Sequence, residues 1–193
     1  MTEYSAIILA GGKSRRMGQK KALLKIEGRG FVQIIRDKLL KLGIEDIILS
    51  GFAKTCEKTR YVKDRFEGQG PLAGIHAGLE AASHDSVIVI AEDAPLVPVE
   101  FLEKLCQIHE ERSGLVTVAS CERRIQPLLG IYDKSLAKNC ERILTDNKRK
   151  VMSLLEEVGY EEVPFFGEEI LIRGCNTPEE YEYLQRLVKP APR

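Results

Sequence analysis

Tryptophan is absent from the 193-residue chain, and phenylalanine and tyrosine together make up only 6% of it. Single-stranded nucleic acids are held on aromatic stacking platforms, so this scarcity argues against that class of ligand. Net charge is missing too, because 29 basic residues balance 29 acidic ones. General nucleic-acid binding calls for a basic excess. No apolar run approaches the roughly 20 residues of a membrane-spanning helix, and SAIILA at 5–10 leads straight into charge. The first residues lack a signal-peptide pattern. The five cysteines, Cys56, Cys106, Cys121, Cys140 and Cys175, include no Cys-x-x-Cys pair. That points to reduced thiols rather than a disulfide framework or a zinc site. His76, His84 and His109 show no ligand spacing to one another. These exclusions leave an expected cytoplasmic protein with no nucleic-acid or membrane partner.

What is present suits one α/β domain over residues 1–193, with 44% hydrophobic and 30% charged residues to build a core and a solvated surface. Apolar runs without alternation at 4–10, 46–50 and 86–91 read as strands buried on both faces. A short strand is expected at 59–63, and further strands at 115–120, 125–132 and 170–174. Helical spacing predicts helices over 30–42, 72–82, 98–111, 133–143 and 148–157. A last helix over 176–188 opens with a Thr177–Glu180 capping box and Pro178 in its first turn. Alternating strands and helices imply a mostly parallel sheet covered on both faces. Ligands of such sheets sit at the carboxyl ends of the strands.

The residues that follow the strands are therefore the informative ones. After the first come Gly11 and Gly12, then a run containing Lys13, Arg15, Arg16, Lys20, Lys21 and Lys25 and no acid. Adjacent glycines let the backbone turn and approach a ligand, and successive amides form an anion nest. Arg16 and Lys21 could hold polyphosphate oxygens, the first by its planar fork and the second as a point charge. The run matches neither the Walker pattern nor G-x-G-x-x-G, so it reads as a phosphate loop of another lineage or as a solvated basic turn. After the strand at 86–91 come Glu92 and Asp93. One of these would hold Mg²⁺, which takes one or two carboxylates plus substrate phosphates, or would serve as a loop acid. Gly68, Gly70, Pro71 and Gly74 form a second glycine-rich entry to a helix, suited to an anion or to an ordinary turn.

LAGGKSRRMGQKKALL at 9–24 resembles the signature of molybdenum cofactor guanylyltransferases. GPLAGI at 70–75, DAPLVP at 93–98, QPLLGIY at 126–132 and NTPEEYEYL at 176–184 follow in that family's order. The resemblance implies a Rossmann-like, three-layer α/β/α sandwich of the nucleotide-diphospho-sugar transferase type. It implies a transferase that uses GTP and Mg²⁺, with molybdopterin as acceptor, and it leaves room for contact with molybdoenzymes or other cofactor-biosynthesis proteins. Carried over by position, Leu9, Ala10 and Gly11 would line guanine and ribose, while Gly12 and Arg16 would cradle phosphates. Lys21 would reach the α- or β-phosphate, Asp64 would contact nucleotide, Asp93 would bind the metal, and Asn176 would lie near the acceptor or the site floor. Arg16, Lys21 and Asp93 would be the catalytic set. The chain departs from the pattern at Lys20, where the family commonly has Asp, and in SGFAKT at 50–55, which lacks an Asn often seen there. Alternatives are the same chemistry with CTP, or with a sugar phosphate or phospho-acid acceptor, and a non-catalytic nucleotide-binding module.

Overall fold

The computed structural model describes residues 3–11, 24–51 and 56–188. At its centre lies the apolar run that opens the chain. Strand β1 (Tyr4–Leu9) sends Ala6 and Ile8 to one face and Ile7 to the other, all fully buried. A strand apolar in both directions must be covered from both sides. A short hairpin, β2 (Lys25–Ile26) and β3 (Arg29–Gly30), leads into α1 (Phe31–Lys41) and β4 (Asp46–Ser50). Then come β5 (Arg60–Val62), α2 (Pro71–Ala81), β6 (Ser86–Ala91) and α3 (Val99–Arg112). The chain continues through β7 (Val116–Cys121), β8 (Arg124–Asp133), a 3-10 turn at Lys134–Leu136, α4 (Ala137–Thr145) and α5 (Val151–Val158). It ends with β9 (Glu161–Pro164), α6 (Ile170–Arg173) and α7 (Pro178–Val188).

The main sheet has seven strands in the order β5-β4-β1-β6-β8-β7-β9. β8 alone runs against its neighbours; the other pairings are parallel. Side chains alternate between two core layers. Ile8, Leu49, Ile88 and Ile90 pack under Ile35 and Leu39 of α1 and Leu102 and Leu105 of α3. Ile7, Ile48, Val87 and Val89 pack under α2, α4 and α5. The three-layer sandwich and mostly parallel sheet expected from the sequence are what the chain forms. Helix α2 is buried continuously from Leu72 to Leu79, because its glycines let it settle onto the sheet. A Cβ on Gly78 would lie 2.4 Å from Ile7, and one on Gly74 2.7 Å from the Ser50 hydroxyl.

One expectation fails in the second half, and one strand there carries no sequence signal. Residues 170–173 form a single helical turn, α6, rather than a strand. The N–H of Arg173 donates to the Glu169 carbonyl at 2.8 Å, and Gly174 follows with a φ of +81°. The place beside β7 is taken by β9, EEVP, which has one buried residue, Val163. An edge strand contacts a neighbour on one side only, so it needs little apolar sequence, and 161–164 carries no strong pattern. The capping box of α7 forms as expected. The Glu180 N–H donates to the Thr177 hydroxyl at 3.3 Å, and the Glu180 carboxylate accepts from the N–H groups of Asn176 and Thr177.

Candidate active site

The register brings the ends of the parallel strands into one row. Leu9 opposes Ser50 on β4 and Ala91 on β6, and Ser50 opposes Val62 on β5. Whatever follows Leu9, Ser50, Val62 and Ala91 must therefore emerge along one carboxyl edge, which is where the sequence places Gly11, Gly51, Asp64 and Asp93. The β1 ladder runs on past its strand in both directions. The Ala10 N–H donates to the Ser50 carbonyl at 2.8 Å, and the Glu92 N–H donates to the Leu9 carbonyl at 2.9 Å. Asp93 thus lies immediately beside the end of β1.

Between β1 and β4 the backbones touch. A Cβ on Gly11 would lie 3.0 Å from the Gly51 Cα, and one on Gly51 2.9 Å from the Ala10 carbonyl oxygen. Gly51 also has a φ of +95°, a conformation that side chains of L-residues resist. The result is a ledge of bare backbone. Ala10 is buried below it, Leu9 is partly buried, and Gly11 is exposed. Beside the ledge the Ser50 hydroxyl donates to the Asp64 carboxylate at 2.7 Å. Among the described residues no cation pairs with Asp64.

Asp93 is held from the far end of the chain. Its carbonyl accepts from the Cys175 N–H at 2.9 Å. A Cβ on Gly174 would fall 2.6 Å from the Asp93 carboxylate, so only glycine leaves room for that carboxylate. This contact brings Asn176 to within one residue of the Asp93 anchor. Arg173 donates to the Glu180 carboxylate at 2.7 Å. That bond, with Glu169 and Asp93 nearby, holds the guanidinium above its ordinary pKa. On the other flank, Lys38 of α1 donates to the Val97 carbonyl at 2.5 Å and so clips the β6–α3 loop; burial brings its pKa down to about 8.

Helix α2 begins at the same edge, after Gly70, with Pro71 as its first residue. Its unpaired N–H groups favour an anion there. The Arg149 carbonyl lies 3.8 Å from where Gly70 would carry a Cβ, so the basic run Lys148-Arg149-Lys150 comes to this corner as well. Sequence alone does not connect that run to the site. Its only local signal is three successive cations. The structure thus brings Leu9, Ala10, Gly11, Asp64, Asp93 and Asn176 to one edge. Gly12, Arg16 and Lys21 lie outside the described residues. The histidines stay apart from this chemistry: the His109 ring shares a hydrogen bond with Thr117 at 3.0 Å. His76 is buried against Phe66, and its ring nitrogens make no hydrogen bond among the described residues. Among the described residues no disulfide joins the five cysteines.

The model of the MobA-like NTP transferase domain family matches residues 6–163. The chain belongs to the MobA-like nucleotidyltransferases. The enzyme is 35% identical to a probable molybdenum cofactor guanylyltransferase of Carboxydothermus hydrogenoformans, over 97% of this chain and 98% of that protein. It is 33% identical to a protein of the same description from Geobacillus sp. (strain WCH70), over 94% of this chain and 98% of that one. Among solved structures, the molybdopterin-guanine dinucleotide biosynthesis protein A from Archaeoglobus fulgidus superposes with a TM-score of 0.78 at 26% identity. That match covers 95% of the nucleotidyltransferase and 97% of the archaeal chain. No helix among the described residues of the nucleotidyltransferase is long and apolar enough to cross a membrane.

Proposed function

We propose that the enzyme transfers GMP from GTP to the phosphate of molybdopterin and releases pyrophosphate, as one domain over residues 1–193. The observation that carries this reading is Asp93, one residue past the Glu92–Leu9 hydrogen bond, at the strand end next to β1 and its bare-backbone ledge of Gly11 and Gly51. Leu9, Ala10 and Gly11 line the nucleoside, and Asp64, oriented by Ser50, faces it from the next strand end. Gly12, Arg16 and Lys21 take the triphosphate.

No cluster of three or more metal-binding side chains exists among the described residues. Mg²⁺ does not require one, because it keeps waters and substrate phosphates and uses one or two carboxylates. Asp93 fits that role, since Gly174 leaves its carboxylate unobstructed by a Cβ. When bound there, the cation supplies charge neutralisation at the phosphates.

The acceptor phosphate is already an anion, so the reaction needs no general base. One of its oxygens bonds to the α-phosphorus, the bond from that phosphorus to the β-phosphate oxygen breaks, and the electron pair leaves with pyrophosphate. The protein's task is to align two anions and to stabilise the departing charge. Arg16 and Lys21 meet the leaving phosphates, loop amides orient them, and Asn176 stands on the acceptor side. The test is incubation with each common nucleoside triphosphate, Mg²⁺ and molybdopterin, followed by identification of the dinucleotide. Pyrophosphate together with a guanine dinucleotide is expected. A cytosine dinucleotide would overturn the base assignment, and binding without pyrophosphate would overturn the enzymatic reading.

A further inference from the structure

On one side of Asp93 lie the ends of β1, β4 and β5, assigned above to the nucleotide. On the other side the sheet opens. β8 pairs with β6 only between Leu129 and Asp133. Before that stretch it bulges, and Arg124–Gln126 pair with β7 alone. The end of β6, which leads into Asp93, therefore has no partner strand on that side. A crevice at such a switch in strand direction is where α/β sheets take ligands.

Two exposed side chains belong to this end of the sheet. Arg124 opposes Cys121 in the β7–β8 hairpin, and directly opposed residues share a face. Cys121 packs in the core layer beneath α3, so Arg124 rises on the α3 side. It is exposed, and among the described residues no carboxylate pairs with it. The turn before it is fixed: Glu122 and Arg123 have φ of 49° and 63°, the left-handed pair that closes a tight hairpin. The second side chain is Phe166, which is 87% exposed. Its surroundings are tightly held. Phe165 packs edge-on against Phe101 at 4.9 Å, and a Cβ on Gly167 would lie 2.7 Å from the Phe165 ring. The Cys121 sulfur lies 3.9 Å from the Gly167 carbonyl oxygen, so the hairpin and this segment adjoin. The Lys104 ammonium lies 5.8 Å from the Phe166 ring centre.

Spacing ties the two to one ligand. β8 is one strand from β6, and β9, which feeds Phe166, is three strands away, roughly 14 Å at the usual interstrand distance. A cation on the strand next to β6 and an exposed ring at the far end suit a phosphomonoester joined by a few bonds to a flat heteroaromatic ring. We propose, resting on the nucleotidyl-transfer reading, that Arg124 and Phe166 receive the acceptor. Arg124 takes its phosphate with the planar guanidinium fork, and Phe166 stacks on its ring.

The experiment compares wild type with Phe166→Ala, Phe166→Tyr and Arg124→Gln. It reads the KM for molybdopterin and for GTP separately, and also the binding of a fluorescent pterin monophosphate by quenching. Phe166→Ala is expected to raise the molybdopterin KM and the pterin Kd about tenfold, the scale of one lost stacking contact. Phe166→Tyr restores both. Arg124→Gln raises the molybdopterin KM and leaves the GTP KM unchanged. Pterin binding that depends on Phe166 in a wild-type protein without turnover would support this acceptor site while refuting the transfer reading. Acceptor KM and pterin Kd within twofold of wild type for Phe166→Ala, equal changes in both substrates' KM, or no pterin binding by wild type would each overturn it.

Discussion

The two edges of the central sheet each carry a serine–aspartate pair, and the pairs are built for different ends. At the amino edge the Ser5 hydroxyl donates to Asp46 at 2.6 Å. Asp46 also accepts from Arg60 at 2.8 Å and from the Ser83 N–H at 2.9 Å, while the Ser83 and His84 N–H groups donate to Ser5. Both oxygens of that acid are engaged inside the fold. At the carboxyl edge Ser50 donates to Asp64, and no cation answers it among the described residues. Beside it lie bare glycine backbone and helix α2, with Asp93 farther along the same edge. The same two residue types therefore make a closed staple at one edge and an anionic rim at the other. What separates them is the number of partners already satisfied, not the residues themselves.

The largest expected break in this contrast is at Asp93. Asp93→Ala should abolish metal-dependent pyrophosphate release while thermal unfolding stays close to wild type. Undiminished turnover at equal metal concentration would remove Asp93 from the site. Next comes Lys21→Ala, for which turnover should fall roughly 10²-fold or more, the usual loss for one preorganised charge stabiliser.

Asp46→Ala should do the reverse. It leaves the Ser83 N–H only its bond to Ser5 and the exposed Arg60 guanidinium only its bond to the Ala81 carbonyl, so stability should fall by about 1–2 kcal/mol with turnover per folded molecule unchanged. Burial pushes the Asp46 pKa up, but bonds from Arg60, Ser5 and Ser83 outweigh it and hold the acid well below the usual range. A group held low in the folded state stabilises above its unfolded pKa of about 3.9 and loses that contribution as pH falls. The stability gap between wild type and Asp46→Asn, measured by urea unfolding, should therefore shrink below about pH 4.

Gly78→Ala drives a methyl into Ile7 and should cost about 1–3 kcal/mol by overpacking, again without changing the KM for nucleotide. The smallest effect concerns Lys38. Burial depresses its pKa to about 8, below the unfolded value near 10.4, so the unfolded chain binds the extra proton between those values. Wild-type stability should rise through that window relative to Lys38→Met. Parallel pH profiles of the two proteins would contradict the buried clip onto Val97.

Much of this layout can be read in the chain, and the failures have physical causes. β1 and β6 announce themselves because strands buried on both faces must be apolar at every position. β9 does not, because an edge strand with only Val163 buried needs no pattern. The Ile170–Arg173 run, with isoleucines at 170 and 172, looks like a strand but closes one helical turn between Glu169 and Gly174. Tertiary placement overrides β-propensity there. Asp64 and Asp93 are legible because chain order alone puts them after strands. The approach of Gly174 and Cys175 to Asp93 is not, because it joins segments about 80 residues apart, and the Gly11–Gly51 ledge is visible only once β1 and β4 are paired.

The central claim is that one carboxyl edge holds a triphosphate against a metal on Asp93. A crystal structure with GTP and Mg²⁺ tests it most directly. The account predicts the nucleoside over the Gly11–Gly51 backbone, the metal on an Asp93 carboxylate oxygen, and the phosphates between it and the basic residues that follow β1. A nucleotide bound elsewhere, or a metal with no Asp93 oxygen in its shell, would contradict it.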